Sequence, residues 1–77
     1  MSDKLIEIFA EEFSLDPMNL DDESSPDSVS AWDSLGAVRV VVAIEEEFNI
    51  QLSTNEIMKM NTIGIVRSIL REKNINV

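Results

Sequence analysis

Apolar residues recur at helical spacing in four segments of this 77-residue chain, and a long polar stretch separates the first two segments. Between Asp3 and Phe13 the apolar positions share one face of a helix, which predicts a first amphipathic helix. These positions are Leu5, Ile6, Phe9 and Phe13. The acidic and serine-rich stretch that follows contains Pro17 and has no apolar period, so it predicts a loop of about 20 residues. We expect four apolar residues to anchor this loop on the core: Leu15, Leu20, Val29 and Trp32.

A second helix is predicted from about Ser34 to Phe48, with Asn49 as its stop, and its apolar residues fall on two opposite faces. The inner face consists of Ala37, Val40, Val41, Ile44 and Phe48. The outer face consists of Leu35, Val38 and Val42. Because a surface helix of a small bundle needs only one buried face, we expect the outer face to stay exposed for a partner.

Two further helices are predicted in the last third of the chain. Ser53 and Glu56 have the spacing of a capping box, which predicts the start of a short third helix containing Ile57 and Met60. Thr62 can cap a fourth helix. The inward residues of this fourth helix are Ile63, Val66, Ile69 and Leu70. Since no strand pattern or repeat competes, residues 1–77 are predicted to be a single all-α domain, a four-helix bundle with a long loop between its first two helices.

Composition and charge exclude several classes of function. The chain has no Cys and no His, which removes thiolate and imidazole catalysis and the commonest metal ligands. The net charge of −9 and the scattered bases argue against nucleic-acid binding and favour basic protein partners. The N-terminus has no long apolar run, so we expect a cytoplasmic protein without membrane insertion. We also expect a monomer. A calcium loop starting at Asp21 would put Pro26 and Trp32 at positions that need Gly and Glu, so no metal site is predicted.

Asp33-Ser34-Leu35, followed by Val38 and then by Glu45-Glu46-Glu47-Phe48, resembles the acyl carrier protein family, and the resemblance covers nearly the whole chain. The segment from Trp32 to Gly36 looks like a stand-alone branch of that family. The resemblance implies that Ser34, flanked by Asp33 and Leu35, carries covalent 4′-phosphopantetheine derived from coenzyme A. The terminal thiol would hold an acyl or aminoacyl group as a thioester, and the chain would not be an enzyme.

The resemblance also implies partners, namely a phosphopantetheinyl transferase and the acyl-loading and acyl-transfer enzymes of fatty acid or polyketide biosynthesis. The residues that we expect to meet them are Leu35, Val38, Arg39, Val42, Glu45 and Glu46. The acids Glu45 to Glu47 lie at the C-terminal end of a helix, where the dipole disfavours them. We therefore expect these acids to serve something other than local stability.

The residues around Ser34 leave alternatives to this interpretation. Asp33 and Ser34 could be ordinary helix caps, although capping and modification can coexist. No His exists to activate Ser34, which opposes a hydrolase and suits an acceptor modified by another enzyme. A phosphate at a helix N-terminus would be favoured by the free N–H groups and the dipole. The alternative function is an unmodified, carrier-like interaction module that works through its second helix.

Three residues of the second helix differ from the family pattern, which has acids there: Gly36, Ala37 and Arg39. Gly36 costs about 1 kcal/mol of helix stability relative to Ala, and we expect it to allow close approach of a partner. Arg39 has no acid three or four residues away on either side. We expect this altered face to select partners other than those that serve fully acidic carriers.

Overall fold

The computed structural model describes residues 3–77, which form four α-helices, one short 3₁₀ helix and no strand. The elements are α1 (Lys4–Phe13), the 3₁₀ helix (Pro17–Asn19), α2 (Ser34–Phe48), α3 (Thr54–Met58) and α4 (Ile63–Glu72). The predicted all-α bundle with a long first loop and a short third helix is confirmed. The prediction that α3 contains Met60 is wrong, because the helix ends at Met58 and Met60 packs against the core from the turn that follows.

Each α-helix begins at a side chain that accepts a hydrogen bond from a backbone N–H of the first turn. The capping residues are Asp3, Asp33, Ser53 and Thr62. The predicted capping box of α3 is complete, since Glu56 also accepts from the Ser53 N–H at 2.9 Å. Helix α2 ends at Phe48, and Asn49 stops it as predicted, with the left-handed φ of 54° that ends many helices.

Helices α1 and α2 run antiparallel and bury their inner faces in one shared core. At one end Lys4 Nζ lies 3.3 Å from Glu47 Oε2, and at the other end Phe13 lies against Gly36. The largest fully buried side chains come from α1, α2 and α4: Phe9, Leu5, Ile44, Ile63, Leu70, Val40 and Val66. The inward residues predicted for α4 are all buried. The core therefore lies directly beneath the whole length of α2.

Three of the four predicted anchors hold the long loop on this core. Leu20, Val29 and Trp32 are buried, and the Trp32 ring packs on Phe9 with the ring centroids 5.0 Å apart. The prediction for Leu15 is wrong, since 37% of this residue is exposed. The left-handed φ of 56° at Ser14 turns the chain off the inner face of α1, so Leu15 no longer points into the core.

The middle of the loop docks on the N-terminus of α4, a contact that the sequence did not predict. The carbonyl oxygens of Asp22 and Ser24 accept hydrogen bonds from Gly64 N at 2.9 Å and Ile63 N at 3.2 Å. These two N–H groups belong to the first turn of α4 and have no partner within the helix. The loop therefore completes the α4 terminus, and the helix in turn fixes the path of the loop.

Candidate functional site

The N-terminus of α2 presents Ser34 at the surface. Asp33 caps the helix, because its Oδ1 accepts from Gly36 N at 2.8 Å and its carbonyl accepts from Ala37 N at 2.8 Å. Ser34 is exposed as the first residue of α2. Within residues 3–77, the N–H groups of Ser34 and Leu35 donate no hydrogen bond. An exposed hydroxyl beside two free N–H donors is a place where a phosphodiester is electrostatically favoured.

Gly36 faces inward, which corrects the expectation that it would allow close approach of a partner. The residue is buried, and a Cβ placed there would overlap the carbonyl oxygen of Ala31 and lie 3.2 Å from Phe13 Cε1. The close approach is therefore made by the protein's own loop. Ala31, in the segment that precedes Ser34, therefore packs against the first turn of α2, and this contact sets the position of Ser34 at the surface.

The outer face of α2 is exposed, as the two-face pattern predicted. The exposed fractions are 61% for Leu35, 57% for Val38 and 46% for Val42, whereas Val40 and Ile44 on the inner face are 1% and 0% exposed. The edges of the inner face, Ala37 and Phe48, are only half-buried and pack against the core. An apolar surface that begins beside Ser34 is thus left without a partner inside the described part of the chain.

The three acids at the end of α2 have different surroundings. Glu45 Oε2 accepts a hydrogen bond from Leu52 N at 2.9 Å, and Glu47 pairs with Lys4. The expectation that these acids do not serve local stability is therefore wrong for Glu45 and Glu47. Glu46 is exposed and forms no ion pair or hydrogen bond among the described residues. Of the two acids predicted to contact partners, Glu45 is thus engaged within the fold, whereas the carboxylate of Glu46 is available to a partner.

A groove between α1 and α2 borders the outer face. It is lined by Glu12, Val38, Arg39, Val42, Ala43 and Glu46. The position of Glu12 of α1 in this groove could not be predicted from the sequence, because only the packing of α1 on α2 brings it there. Arg39 is exposed in the groove, as its unpaired position on α2 suggested.

Comparison with known proteins agrees with this arrangement. Residues 3–66 match the family model described as "Phosphopantetheine attachment site". The acyl carrier protein of Wolinella succinogenes is 35% identical over 72 residues, covering 92% of this chain and 95% of the relative. That of Streptococcus thermophilus is 37% identical over 71 residues, covering 92% of each. The chain belongs to the acyl carrier protein family. Its fold also matches the solution structure of a holo acyl carrier protein from Geobacter metallireducens, with a TM-score of 0.73, 25% identity and coverage of 96% of this chain and 91% of that one.

Family membership gives the molecule its role. It carries acyl groups as thioesters on covalent 4′-phosphopantetheine, it is not a catalyst, and it works with enzymes that attach the arm and handle the acyl group. The residues present suit this group, since the exposed Ser34 hydroxyl can be esterified and the free N–H groups beside it can donate hydrogen bonds to the phosphate. Because the chain has no Cys, the thiol of the arm competes with no protein thiol. In residues 3–77 no helix is both long and apolar enough to cross a membrane.

Proposed function

We propose that Ser34 is the residue to which the phosphopantetheine arm is attached. The observation that carries this proposal is the exposed hydroxyl at the first position of α2, capped by Asp33 and followed by the exposed Leu35. In the reaction, Ser34 Oγ attacks the coenzyme A phosphate next to the pantetheine, and the bond to the second phosphate breaks. The serine proton passes to a base of the transferase, and adenosine bisphosphate leaves. This chain supplies only the acceptor, which agrees with its lack of His.

Intact-mass measurement tests the attachment site. The unmodified protein is incubated with coenzyme A and a phosphopantetheinyl transferase, and we expect the mass of one phosphopantetheine group to be added. The Ser34→Ala variant should stay folded and gain no mass. Ser30→Ala is a matched control, because Ser30 is also exposed and lies four residues earlier in the loop, and it should gain the full mass. A mass gain in Ser34→Ala, or none in the wild type with several transferases, would exclude this site.

We further propose that the outer face of α2, together with Arg39, Glu46 and the partly engaged Glu45, contacts the transferase and the acyl-handling enzymes. Burial of the exposed apolar side chains against a partner favours binding near the attachment site, and the acids attract basic partners. The cargo is proposed to be a fatty acyl, aminoacyl or polyketide group, held as a thioester on the arm.

The oligomeric state is proposed to be monomeric, with the described residues acting as one domain. A net charge of −9 makes copies repel each other, and three apolar side chains are far fewer than the roughly 20 residues per partner of a stable interface. Light scattering should give the mass of one chain across a wide concentration range. Location in the cytoplasm stays a prediction.

A further inference from the structure

The six bases of this acidic chain differ in whether they have an intramolecular partner. Lys4, Arg67 and Lys73 form ion pairs, and Arg71 Nε donates to the carbonyl of Val77 at 2.9 Å. Among residues 3–77, Arg39 and Lys59 have neither an ion pair nor a side-chain hydrogen bond. Lys59 lies in the turn after α3, whereas Arg39 stands on α2 beside the outer face. Of these two unpaired cations in residues 3–77, only Arg39 borders the proposed docking surface.

The charges around Arg39 form a distinct pattern. Along α2 from the Ser34 end, Val38 and Arg39 come first, Val42 follows about one turn later, and Glu46 lies about two turns beyond Arg39. Glu12 of α1 faces the same groove from the other side. Neither Glu12 nor Glu46 forms an ion pair or hydrogen bond in the described part of the chain. The groove thus presents one free cation, an apolar floor and two free carboxylates.

We propose that this groove receives a surface segment of an acyl-handling enzyme with the complementary pattern. The segment presents a carboxylate to Arg39, an apolar side chain to Val38 and Val42, and a basic side chain to Glu12 and Glu46. The proposal rests on the proposed carrier function of Ser34 and extends it by naming the chemistry of the partner. It also extends the docking surface from α2 to α1.

Charge complementarity is the argument for this occupant. A guanidinium can bind a carboxylate through two parallel hydrogen bonds, and arginine is enriched among the residues that dominate interface energies. A partner with only basic residues at its rim would place like charges opposite Arg39, which weakens binding and excludes that partner. Arg39 therefore determines specificity by admitting enzymes that have an acid at this place.

Steady-state kinetics on the holo-protein test the proposal. The probe is an acyl-transfer enzyme from the same organism, purified by its activity on the wild-type holo-protein. We expect Arg39→Glu to raise KM about tenfold or more at low salt with kcat nearly unchanged, because like charges then face each other. Arg39→Lys should fall between the two, and the effect should shrink at high salt. An enzyme that serves carriers with an acid at this position should accept Arg39→Glu better than the wild type.

Two further variants make the outcome decisive. Lys59→Glu causes the same change in net charge at a cation outside the groove, and its KM should match that of the wild type. Glu12→Lys should raise KM, which an interface confined to α2 would not show. Equal effects of Lys59→Glu and Arg39→Glu, or an unchanged KM in Arg39→Glu at low salt, would overturn the proposal. Intact mass confirms loading of every variant beforehand, so a failure of attachment at Ser34 is seen separately.

Discussion

At the scale of single residues, Gly36 is where local helix preference and tertiary packing oppose each other. Glycine has a lower helix preference than alanine, by at most about 1 kcal/mol, so an isolated α2 would favour alanine at this position in its first turn. In the folded chain a Cβ at this position would overlap the carbonyl oxygen of Ala31. The obstacle is backbone of the loop that is fixed by Trp32, so it cannot move aside as a flexible side chain could.

We expect Gly36→Ala to lower the free energy of unfolding, because overpacking costs about 1–3 kcal/mol and exceeds the gain in helix preference. Gly64→Ala is the matched control, since its Cβ would meet the Asp22 carbonyl oxygen at a milder 3.1 Å. It gains the same helix preference and should lose less stability than Gly36→Ala. Urea denaturation measures both. A Gly36→Ala protein as stable as the wild type would show that the Ala31 segment is free to move.

At the scale of the elements, α2 is a helix with one face in the core and the other in solvent. Val40 and Val42 are the same residue type two positions apart, yet they are 1% and 46% exposed. The difference in burial, rather than the helix preference of valine, decides what each contributes to stability. The pair therefore separates the structural face of α2 from the face proposed for docking.

Val40→Ala is expected to lower the free energy of unfolding by about 1.5 kcal/mol or more, because it removes two buried methyl groups and leaves a cavity. Ile44→Ala should cost about 2–5 kcal/mol. Val42→Ala removes the same atoms as Val40→Ala but should change stability by only about 0.5 kcal/mol, and should instead impair loading or acyl transfer. Melting curves followed by circular dichroism, with a transfer assay, measure both effects. Equal losses for the two valines would mean that the outer face is buried.

The bounds of the helices, apart from the end of α3 at Met58, were predictable because their signals are local. Asp33, Asn49, Ser53 with Glu56, and Thr62 act within one turn of their own positions, so spacing along the chain is enough to find them. The two faces of α2 were predictable for the same reason. The inward role of Gly36 and the bond from Leu52 N to Glu45 were not, because both depend on which segment packs against α2.

At the scale of the whole molecule, Arg67 joins three parts of the chain that are distant in sequence. Its Nη2 lies 2.8 Å from Asp3 Oδ2 at the start of α1 and 2.8 Å from Asp22 Oδ1 in the long loop. Only 11% of the Arg67 side chain is exposed. No spacing rule could pair residues 45 and 64 positions apart, so this contact had no signal in the sequence. It fastens the loop and both terminal helices together.

Because the Asp3 carboxyl can be protonated, the stability that this contact contributes depends on pH. Partial burial by itself would raise the pKa of Asp3, but hydrogen bonds from Arg67 and from the Ile6 N–H outweigh it, so the pKa lies below its usual range. The hydrogen bonds to Asp22 in turn raise the pKa of Arg67 against the opposite effect of burial. A carboxyl whose pKa is lowered by folding stabilises the fold above its unfolded pKa of about 4. That contribution is lost as the pH falls through the lower, folded pKa.

We therefore expect Arg67→Met to lower the free energy of unfolding at pH 7 by about 1–2 kcal/mol, a figure that allows for solvent screening at the half-exposed carboxylates. The difference between wild type and variant should shrink as the pH falls from 5 toward 2, because protonated Asp3 no longer gains from the guanidinium. Acidification also changes the net charge of both proteins, which at pH 7 is −9 in the wild type and one unit more negative in Arg67→Met, so only the difference between them isolates Arg67.

Arg71→Met is the matched control, since it makes the same substitution on the same helix at an exposed arginine whose side chain bonds only the main-chain oxygen of Val77. Urea denaturation of the three proteins at several pH values should show a smaller effect at pH 7 for Arg71→Met than for Arg67→Met, because the Arg71 contact is exposed. If Arg67→Met lost no more stability than Arg71→Met at pH 7, the bridge would be a surface contact without energetic weight. If its loss persisted undiminished at pH 2, the contribution would come from packing of the arginine stem rather than from the charge on Asp3.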